Sequence, residues 1–229
     1  MKKKILIIAA HPDDEILGCG GYLSKYKNES IFRVIFLAEG SSCRFKKLDH
    51  YTPVVLNEIE KRKKQSIKAL AKFGVKKIKF YDNLCGELNN VSQVYLNKII
   101  EKEVLKFNPN VILTHSENDL NSDHRVVFNS VIVACRPIKK SHKPKKIYSF
   151  EVLSSSEWKV TKNFIPNHYI KLSKKNIMDK WDALKIYKDE IKKKPHPRSL
   201  YGINILANYR GLQIGEEYAE AYKLIRSIE

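Results

Sequence analysis

Short runs rich in apolar residues alternate with longer segments whose apolar residues recur at helical intervals. Runs with the length and composition of buried parallel strands occupy 4–8, 32–37, 77–81 and 111–114. Segments with helical periodicity occupy 16–23, 55–73, 91–107 and a stretch beginning at 126. This alternation predicts an α/β fold: a Rossmann-like three-layer sandwich with a mostly parallel central sheet.

The last third of the chain continues this pattern less clearly. We predict a strand over 146–152, an edge strand over 169–172, and helices over 174–193, 203–209 and 216–228. No internal repeat, low-complexity tract or linker divides the sequence. We therefore expect one domain that covers residues 1–229.

The composition is that of a globular protein with a large basic excess. Of 229 residues, 43% are hydrophobic and 30% are charged, and the formal net charge is +18. Lysine supplies most of this excess, with 35 Lys against 8 Arg, and no recognised nucleic-acid motif is present. We do not expect nucleic-acid binding; an anionic substrate or peripheral contact with a membrane surface suits the charge better.

The cysteines and the amino-terminal apolar run bear on the compartment. The four cysteines form no Cys-x-x-Cys pair, which argues against a thiolate metal site or a disulfide framework and fits a reducing compartment. The apolar run at 5–10 is too short for an export signal or a membrane span. We expect a cytoplasmic protein. The sequence is also compatible with a homo-oligomer.

The first stretch with distinctive chemistry is Ala-Ala-His-Pro-Asp-Asp-Glu at 9–15, directly after the first strand. His11 and Asp14 can bend towards one point and hold a metal ion, because a proline stiffens the turn between them. Asp13 stays free to act as a general base on a metal-bound water. The alternative is a helix start at which the acids cap the helix and favour its dipole, which explains the carboxylates but not the histidine.

The second such stretch begins at His115, where the strand 111–114 ends, and reaches Asp123 and His124 at the start of a helix. Parallel strands bring their carboxyl-terminal loops to one edge, so His124 can meet His11 and Asp14. Two histidines and one carboxylate leave a fourth position for water, as in catalytic Zn²⁺ sites, and Fe²⁺ fits the same ligands. Taken alone, Asp123-His124 is better explained as a solvated helix-capping pair.

Several side chains are candidates for substrate contacts. Arg44 follows the second strand, and His196 and Arg198 lie in a loop stiffened by two prolines. Trp158, in a polar loop, could stack on a sugar face. The alternatives are a solvated arginine, a loop that only separates two helices, and a half-buried tryptophan.

The pairing of Ala-His-Pro-Asp-Asp-Glu at 10–15 with Thr-His at 114–115 and the later Asp123-His124 resembles the PIG-L/LmbE-like family of zinc-dependent N-deacetylases. The resemblance implies a Rossmann-like fold and removal of acetyl groups from N-acetylglucosaminyl conjugates and related amides. Matched position by position, it implies that His11, Asp14 and His124 are metal ligands and that Asp13 is the base. Arg62 matches a family arginine implicated in substrate binding.

One position departs from the family pattern. Many members have His-Pro-Asp-His where this chain has Asn121 followed by Ser-Asp-His, and that first histidine is thought to act as an acid or to steady the oxyanion. Asn121 cannot donate a titrating proton, although its amide can hydrogen-bond an oxyanion. Proton delivery then falls to Asp13 or to another histidine, such as His115 or His196. Asp123 could orient a neighbouring group.

Together with this resemblance, the two polar segments predict a zinc-dependent hydrolase, with Fe²⁺ as the alternative metal. Its expected reaction is removal of an N-acetyl group from an aminosugar-containing substrate, a small molecule or a glycoconjugate of a glycan, glycolipid or nucleotide-sugar pathway. The rival interpretation is a catalytically silent carbohydrate- or anion-binding protein of the same fold.

Overall fold

The computed structural model describes residues 2–46, 49–137, 144–160 and 162–229. The strands are β1 (Lys3–Ala9), β2 (Ser30–Ala38), β3 (Lys77–Asn83), β4 (Val111–His115), β5 (Lys146–Phe150), β6 (His168–Leu172) and β7 (Tyr218–Ser227). The helices are α1 (Asp14–Tyr26), α2 (Pro53–Ala71), α3 (Gln93–Phe107), α4 (Ser122–Ala134), α5 (Lys174–Leu184) and α6 (Leu200–Leu212). Among these described helices, none is both long and apolar enough to cross a membrane.

The strands form one seven-stranded sheet in the order β3-β2-β1-β4-β5-β7-β6. The first five strands of this order are parallel, and β7 runs antiparallel to both of its neighbours. This confirms the predicted mostly parallel sheet. From β1 the chain builds the sheet outward on one side through β2 and β3, and then returns to add β4 and β5 on the other side. Such a switch point opens a crevice at the carboxyl ends of the strands.

Helices cover both faces of the sheet, as the three-layer prediction requires. Residues 5–9 of β1 are fully buried; Ile5 and Ile7 belong to one apolar cluster, whereas Leu6 and Ile8 belong to the other. Alternate side chains of one strand therefore enter two separate cores, which explains why the strand is a continuous apolar run and not an alternating one.

The predicted helix over 216–228 is wrong, because this segment is strand β7 inside the sheet. A charged residue in its buried part hides the strand pattern. Glu220 accepts hydrogen bonds from the backbone N–H groups of Gly21, at 2.8 Å, and Tyr22, at 2.7 Å, and from Lys180 Nζ, at 2.7 Å. These partners come from two distant helices, so the sequence carries no local sign that the carboxylate is satisfied.

The helix predicted over 174–193 ends at Leu184, and turns follow it. The apolar residues Ile177 and Leu184 are buried as the helical pattern predicts. Tyr187 lies beyond the helix end, fully buried, and donates a hydrogen bond to Glu15. The turns after α5 thus bring this part of the chain to the start of α1. The strand predicted over 169–172 is confirmed as the edge strand β6.

We expect Gly18→Ala to destabilise the fold, because a Cβ atom on Gly18 would lie 2.2 Å from Phe150 Cδ2. Forcing a methyl group into a packed core costs about 1–3 kcal/mol, and the gain of roughly 1 kcal/mol from removing a helical glycine offsets only part of it. The expected result is a lower denaturation midpoint than that of Asn57→Ala, a control at an exposed position of α2. An unchanged midpoint would mean that α1 does not need this close approach.

Candidate metal centre and its surroundings

The two polar segments meet at the carboxyl ends of the neighbouring strands β1 and β4. The N–H of Ala10, just after β1, donates to Nε2 of His115, the last residue of β4, at 2.8 Å. The register of the pair places Ile8 opposite Thr114. Parallel pairing therefore joins directly two segments that lie more than a hundred positions apart in the chain.

Three predicted metal ligands converge in this crevice. His11 Nδ1 and His124 Nε2 each lie 3.3 Å from Oδ2 of Asp14. One ligand atom from each residue lies within 4.8 Å of the other two, and all three residues are buried. The N–H of His11 also donates to Asp14 Oδ2 at 2.9 Å, which fixes the carboxylate against the turn.

The spacing fits a metal ion. In a tetrahedral zinc site with metal–ligand bonds of about 2.0–2.1 Å, neighbouring ligand atoms are roughly 3.3–3.4 Å apart. Both nitrogen-to-oxygen distances here are 3.3 Å. In addition, neither ring nitrogen of the buried His124 has an aligned hydrogen-bond partner among the described residues. Two imidazoles and one carboxylate are a donor set for zinc or ferrous iron, so the residues present fit such an ion.

Two further carboxylates orient the imidazoles. Asp123 Oδ2 lies 2.9 Å from His11 Nε2, and Asp119 Oδ1 lies 3.2 Å from His124 Nδ1. A carboxylate that faces one ring nitrogen favours the proton there and leaves the lone pair of the other nitrogen free for a metal. Both free lone pairs then face Asp14.

The orienting carboxylates are themselves held by the surrounding loops. Asp123 accepts from the backbone N–H groups of Gly86, at 2.6 Å, and Leu88, at 3.1 Å. Asp119 was not among the predicted site residues, although it lies in the polar segment after β4. Its carboxylate accepts from Ser156 Oγ at 2.8 Å and Ser155 Oγ at 3.0 Å. The role of the Gly86 amide has no side-chain signal that a sequence could reveal.

The electrostatic environment favours positive charge at the histidines. Burial lowers the pKa of His11, but its contacts with Asp123 and Asp14 outweigh this and raise the pKa to about 9. Burial also lowers the pKa of His124, whereas Asp14 and Asp119 raise it to about 10. The surrounding carboxylates thus stabilise a positive charge at this position, and a bound metal cation would benefit from the same negative environment.

Asp13 lies beside this centre in an unusual backbone conformation. Its φ is 127°, a region costly for residues other than glycine. Two contacts hold it there: its N–H donates to Glu15 Oε2 at 2.8 Å, and Tyr187 in turn donates to Glu15. The side chain is buried, with Oδ2 at 2.8 Å from Arg198 Nη1 and 3.1 Å from Arg62 Nη2. A residue other than glycine keeps such a strained φ only where its surroundings enforce it, so the surrounding contacts fix the position of the Asp13 carboxylate.

The three predicted substrate arginines are brought together by a residue that sequence analysis missed. Glu190 Oε1 accepts from Arg44 Nη2 at 2.5 Å and from Arg62 Nη1 at 2.7 Å, and Oε2 accepts from Arg198 Nη1 at 3.0 Å. Together with Asp13 they form a cluster of three cations and two anions, with one positive charge in excess. Arg44 is 46% exposed at its side chain, whereas Arg62 and Glu190 are buried.

Nothing in the sequence pattern identified Glu190, because it falls in the segment predicted as the end of a helix. In the structure the turns after α5 carry it to the far side of Arg62, whose Nε also donates to the carbonyl of Pro12 at 2.8 Å. Arg62 therefore connects helix α2 both to the loop after β1, which contains Pro12, and to the turns after α5.

The two histidines predicted as proton donors or substrate contacts, His115 and His196, lie in different environments. His115 is fully buried, its ring stacks on that of His124 with centroids 3.8 Å apart, and its Nε2 is taken by the Ala10 amide. Burial and His124 lower the pKa of His115 to about 3. It is therefore neutral near pH 7 and offers no exposed atom to a substrate.

His196 lies farther out, in the loop predicted to present it. Its Nδ1 accepts from the N–H of Arg198 at 3.0 Å, and its ring lies edge-on to Trp158 with centroids 6.3 Å apart. Trp158 is 52% exposed, which matches the half-buried alternative. The pair is a polar and aromatic rim next to Arg198.

Asn121 is the N-cap of α4. Its Oδ1 accepts from the N–H of Asp123 at 2.9 Å, and its own N–H donates to Asp119 Oδ1 at 2.9 Å. Its Nδ2 makes no hydrogen bond within the described part of the chain. The side chain thus combines helix capping with a free amide donor.

This fold and site define an α/β protein of Rossmann-like topology that carries a His-Asp-His candidate metal centre at the switch point of its sheet. The chain belongs to the PIG-L family: the family model described as GlcNAc-PI de-N-acetylase matches residues 6–135, more than half of the chain. The matched region contains both polar segments. No match was found among curated protein sequences.

Solved structures share the fold over nearly the whole chain. N,N'-diacetylchitobiose deacetylase from Pyrococcus horikoshii has 16% identity and a TM-score of 0.79, covering 97% of this chain and 84% of that one. GalB, the 4-carboxy-2-hydroxymuconate hydratase from Pseudomonas putida KT2440, has 18% identity and a TM-score of 0.77, covering 99% and 98%.

The zinc-inhibited form of teicoplanin deacetylase Orf2 has 13% identity and a TM-score of 0.76, covering 99% of each chain. At such low identity these likenesses establish the fold. The reaction has to be argued from the site itself, since one of these neighbours is a hydratase.

Replacing Glu190 with Gln should destabilise the protein, because three guanidinium groups lose the anion that they share. We expect the free energy of unfolding at pH 7 to fall by about 3 kcal/mol. Burial raises the pKa of Glu190, but Arg62 and Arg44 outweigh this and hold it below its ordinary value. A lowered pKa stabilises the fold above the unfolded value of about 4.3, and this stability is lost as the pH falls through the folded value.

The difference between wild type and Glu190→Gln should therefore shrink below about pH 4.3. Urea denaturation over a pH series measures it, and Glu60→Gln is the control because that side chain is 58% exposed. Equal stability of the two variants at pH 7 would show that the cluster contributes nothing.

Proposed function

We propose that this protein is a metal-dependent hydrolase that removes an N-acetyl group from an aminosugar substrate. The observation that carries the proposal is the placement of His11, Asp14 and His124 at metal-ligand spacing, with a carboxylate behind each imidazole. Membership of a family described as GlcNAc-PI de-N-acetylase supports the same reaction class.

His11 Nδ1, one oxygen of Asp14 and His124 Nε2 would hold the ion, and zinc and ferrous iron both suit these donors. When bound there, such an ion polarises the amide carbonyl and acidifies a water molecule. The protein's contribution is a buried and pre-oriented ligand set. Asp123 holds the ring of His11, and Asp119 lies 3.2 Å from Nδ1 of His124, so the ligands would need little rearrangement.

Asp13 is the proposed general base. Its Oδ2 receives both guanidinium contacts, and we assign the proton to its other oxygen, Oδ1. Burial raises the pKa of Asp13, and Arg62 and Arg198 oppose this shift without cancelling it. A raised pKa makes the carboxylate a stronger proton acceptor near neutral pH.

Asp13 is also the best proton donor to the leaving amine, once it holds the proton taken from water. His115 cannot serve, because its pKa is lowered to about 3 and its Nε2 is bound to the Ala10 amide. The free Nδ2 of Asn121 can donate a hydrogen bond to the developing oxyanion, although it cannot transfer a proton.

The arginine cluster supports a substrate that carries negative charge. Arg44 is partly exposed, and Arg198 lies beside the rim formed by His196 and Trp158. An aminosugar could stack on Trp158 while an anionic group attached to it binds Arg44. Binding of the charged group would compete with Glu190 for the Arg44 guanidinium.

Asp13→Asn should strongly reduce acetate release and leave the metal bound. Loss of a general base lowers the rate about 10²–10⁴-fold, and Asp13 is not one of the three ligands. Acetate release from N-acetylglucosamine derivatives is measured beside the metal content of the same sample. Asp182→Asn, at an exposed ion pair with Lys185, is the matched control and should keep full activity.

A wild-type rate in Asp13→Asn would eliminate Asp13 as the base. If the fully metallated wild type released no acetate from a broad panel of N-acetylated sugars but bound them, the protein would be a carbohydrate-binding member of the fold.

Asp123→Asn should weaken metal binding, because an amide in place of the carboxylate no longer holds the His11 ring with its Nδ1 free. Loss of such an orienting carboxylate costs about 10–100-fold in metal affinity. Competition for zinc with a chromogenic chelator measures the change, again beside Asp182→Asn. Equal affinities in the two variants would contradict the proposed role of Asp123.

A further inference from the structure

Two cysteines from different loops lie in contact at the rim of the candidate centre. Cys43 is in the short turn after β2, Cys85 follows β3, and their Sγ atoms are 2.9 Å apart. Both are free thiols; Cys43 is exposed and Cys85 is 7% exposed. Sequence spacing gave no sign of this pair, because 42 positions separate the two residues.

The contact is built into the backbone of the two loops. The carboxylate of Glu39 accepts from the N–H of Ser41, at 2.6 Å, from the N–H of Ser42, at 3.1 Å, and from the N–H of Cys85, at 2.8 Å. One buried carboxylate therefore fastens both loops on either side of the sulfur atoms. A bond between the sulfurs, at about 2.05 Å, needs them to approach by less than 1 Å.

We propose that Cys43 and Cys85 form a reversible disulfide, so that the rim of the candidate centre carries a thiol oxidation site. The oxidant class is a low-molecular-weight disulfide. The inference rests on the two thiols and their loops and does not depend on the proposed hydrolase activity.

The exchange balances in two steps. The exposed Cys43 sulfur, as thiolate, attacks one sulfur of the small disulfide and displaces one small thiolate, which takes the proton that Cys43 released. The Cys85 sulfur then attacks the Cys43 sulfur of the mixed disulfide, and the second small thiolate leaves with the Cys85 proton. Two protein thiols are oxidised to one disulfide, and one small disulfide is reduced to two thiols.

The order of attack follows from exposure. Cys43 is exposed to solutes, whereas Cys85 is 7% exposed and its Sγ lies 2.9 Å from that of Cys43. The hydrogen bond with Cys85 and the neighbouring charges also lower the pKa of Cys43 to about 6, against the effect of burial. By contrast, burial raises the pKa of both Cys19 and Cys135, which are enclosed in the core and serve as internal references.

The disulfide would bear on the metal ligands through the backbone. Cys85 precedes Gly86, whose N–H holds Asp123 at 2.6 Å, and Asp123 holds the His11 ring at 2.9 Å. Arg44 follows Cys43 in the other loop. Oxidation would therefore restrain the loop that orients His11 and the loop that carries Arg44.

The test equilibrates the full, folded chain in graded mixtures of reduced and oxidised glutathione, alkylates free thiols after acid quenching, and maps the peptides by mass spectrometry. The expected result is one disulfide-linked peptide pair, Cys43 to Cys85, that lacks two hydrogens and returns to two alkylated thiols with dithiothreitol. Cys19 and Cys135 should be alkylated throughout. Cys85→Ser should stop at the Cys43 mixed disulfide, and Cys135→Ser should behave as wild type.

Two results would overturn the proposal. One is a wild-type protein in which Cys43 carries glutathione while Cys85 remains alkylatable. The other is a pair of thiols that become protected only when zinc is added, without loss of hydrogen, which would mark a thiolate metal site instead. Circular dichroism of each variant checks that it is folded, and none of these measurements requires enzymatic activity.

Discussion

The site depends on one topological constraint, the parallel pairing of β1 with β4. Because the two strands run side by side and end at the same edge, the loop that carries His11 and Asp14 faces the loop that carries His124. The hydrogen bond from the Ala10 amide to His115 ties the two strand ends together directly. Every other part of the site adds to this contact, and none of them could create it if the strands were not neighbours.

Around that contact the fold places buried charges in compensated groups. The imidazoles are each backed by a carboxylate, and Asp13 shares its negative charge with Arg62 and Arg198. The backbone of Asp13 is strained, and Glu15 and Tyr187 hold it in that state. A buried charge that loses its partner destabilises the fold strongly. A strained residue likewise persists only where the surrounding structure holds it, and here the loops that do so are anchored on the sheet.

The sequence predicts which residues after the parallel strands come together at the site. It does not predict residues whose position depends on contacts between distant segments. Proximity of His11, Asp14 and His124 was predictable because parallel strands deliver their loops to one edge, and the structure brings the three together. Glu190 was not predictable, since it reaches the site only because the chain leaves the helical course after Leu184. Strand β7 was mistaken for a helix because Glu220, a charged residue in its buried part, is satisfied by amides of α1 that no local pattern reveals.

Diffraction from crystals of the zinc-loaded protein, recorded at the zinc absorption edge, shows whether the two distant segments form a single metal centre. We expect one anomalous peak within about 2.0–2.2 Å of His11 Nδ1, an Asp14 oxygen and His124 Nε2. A fully loaded protein whose only peak lies away from these three residues would show that the two segments do not share a metal ion.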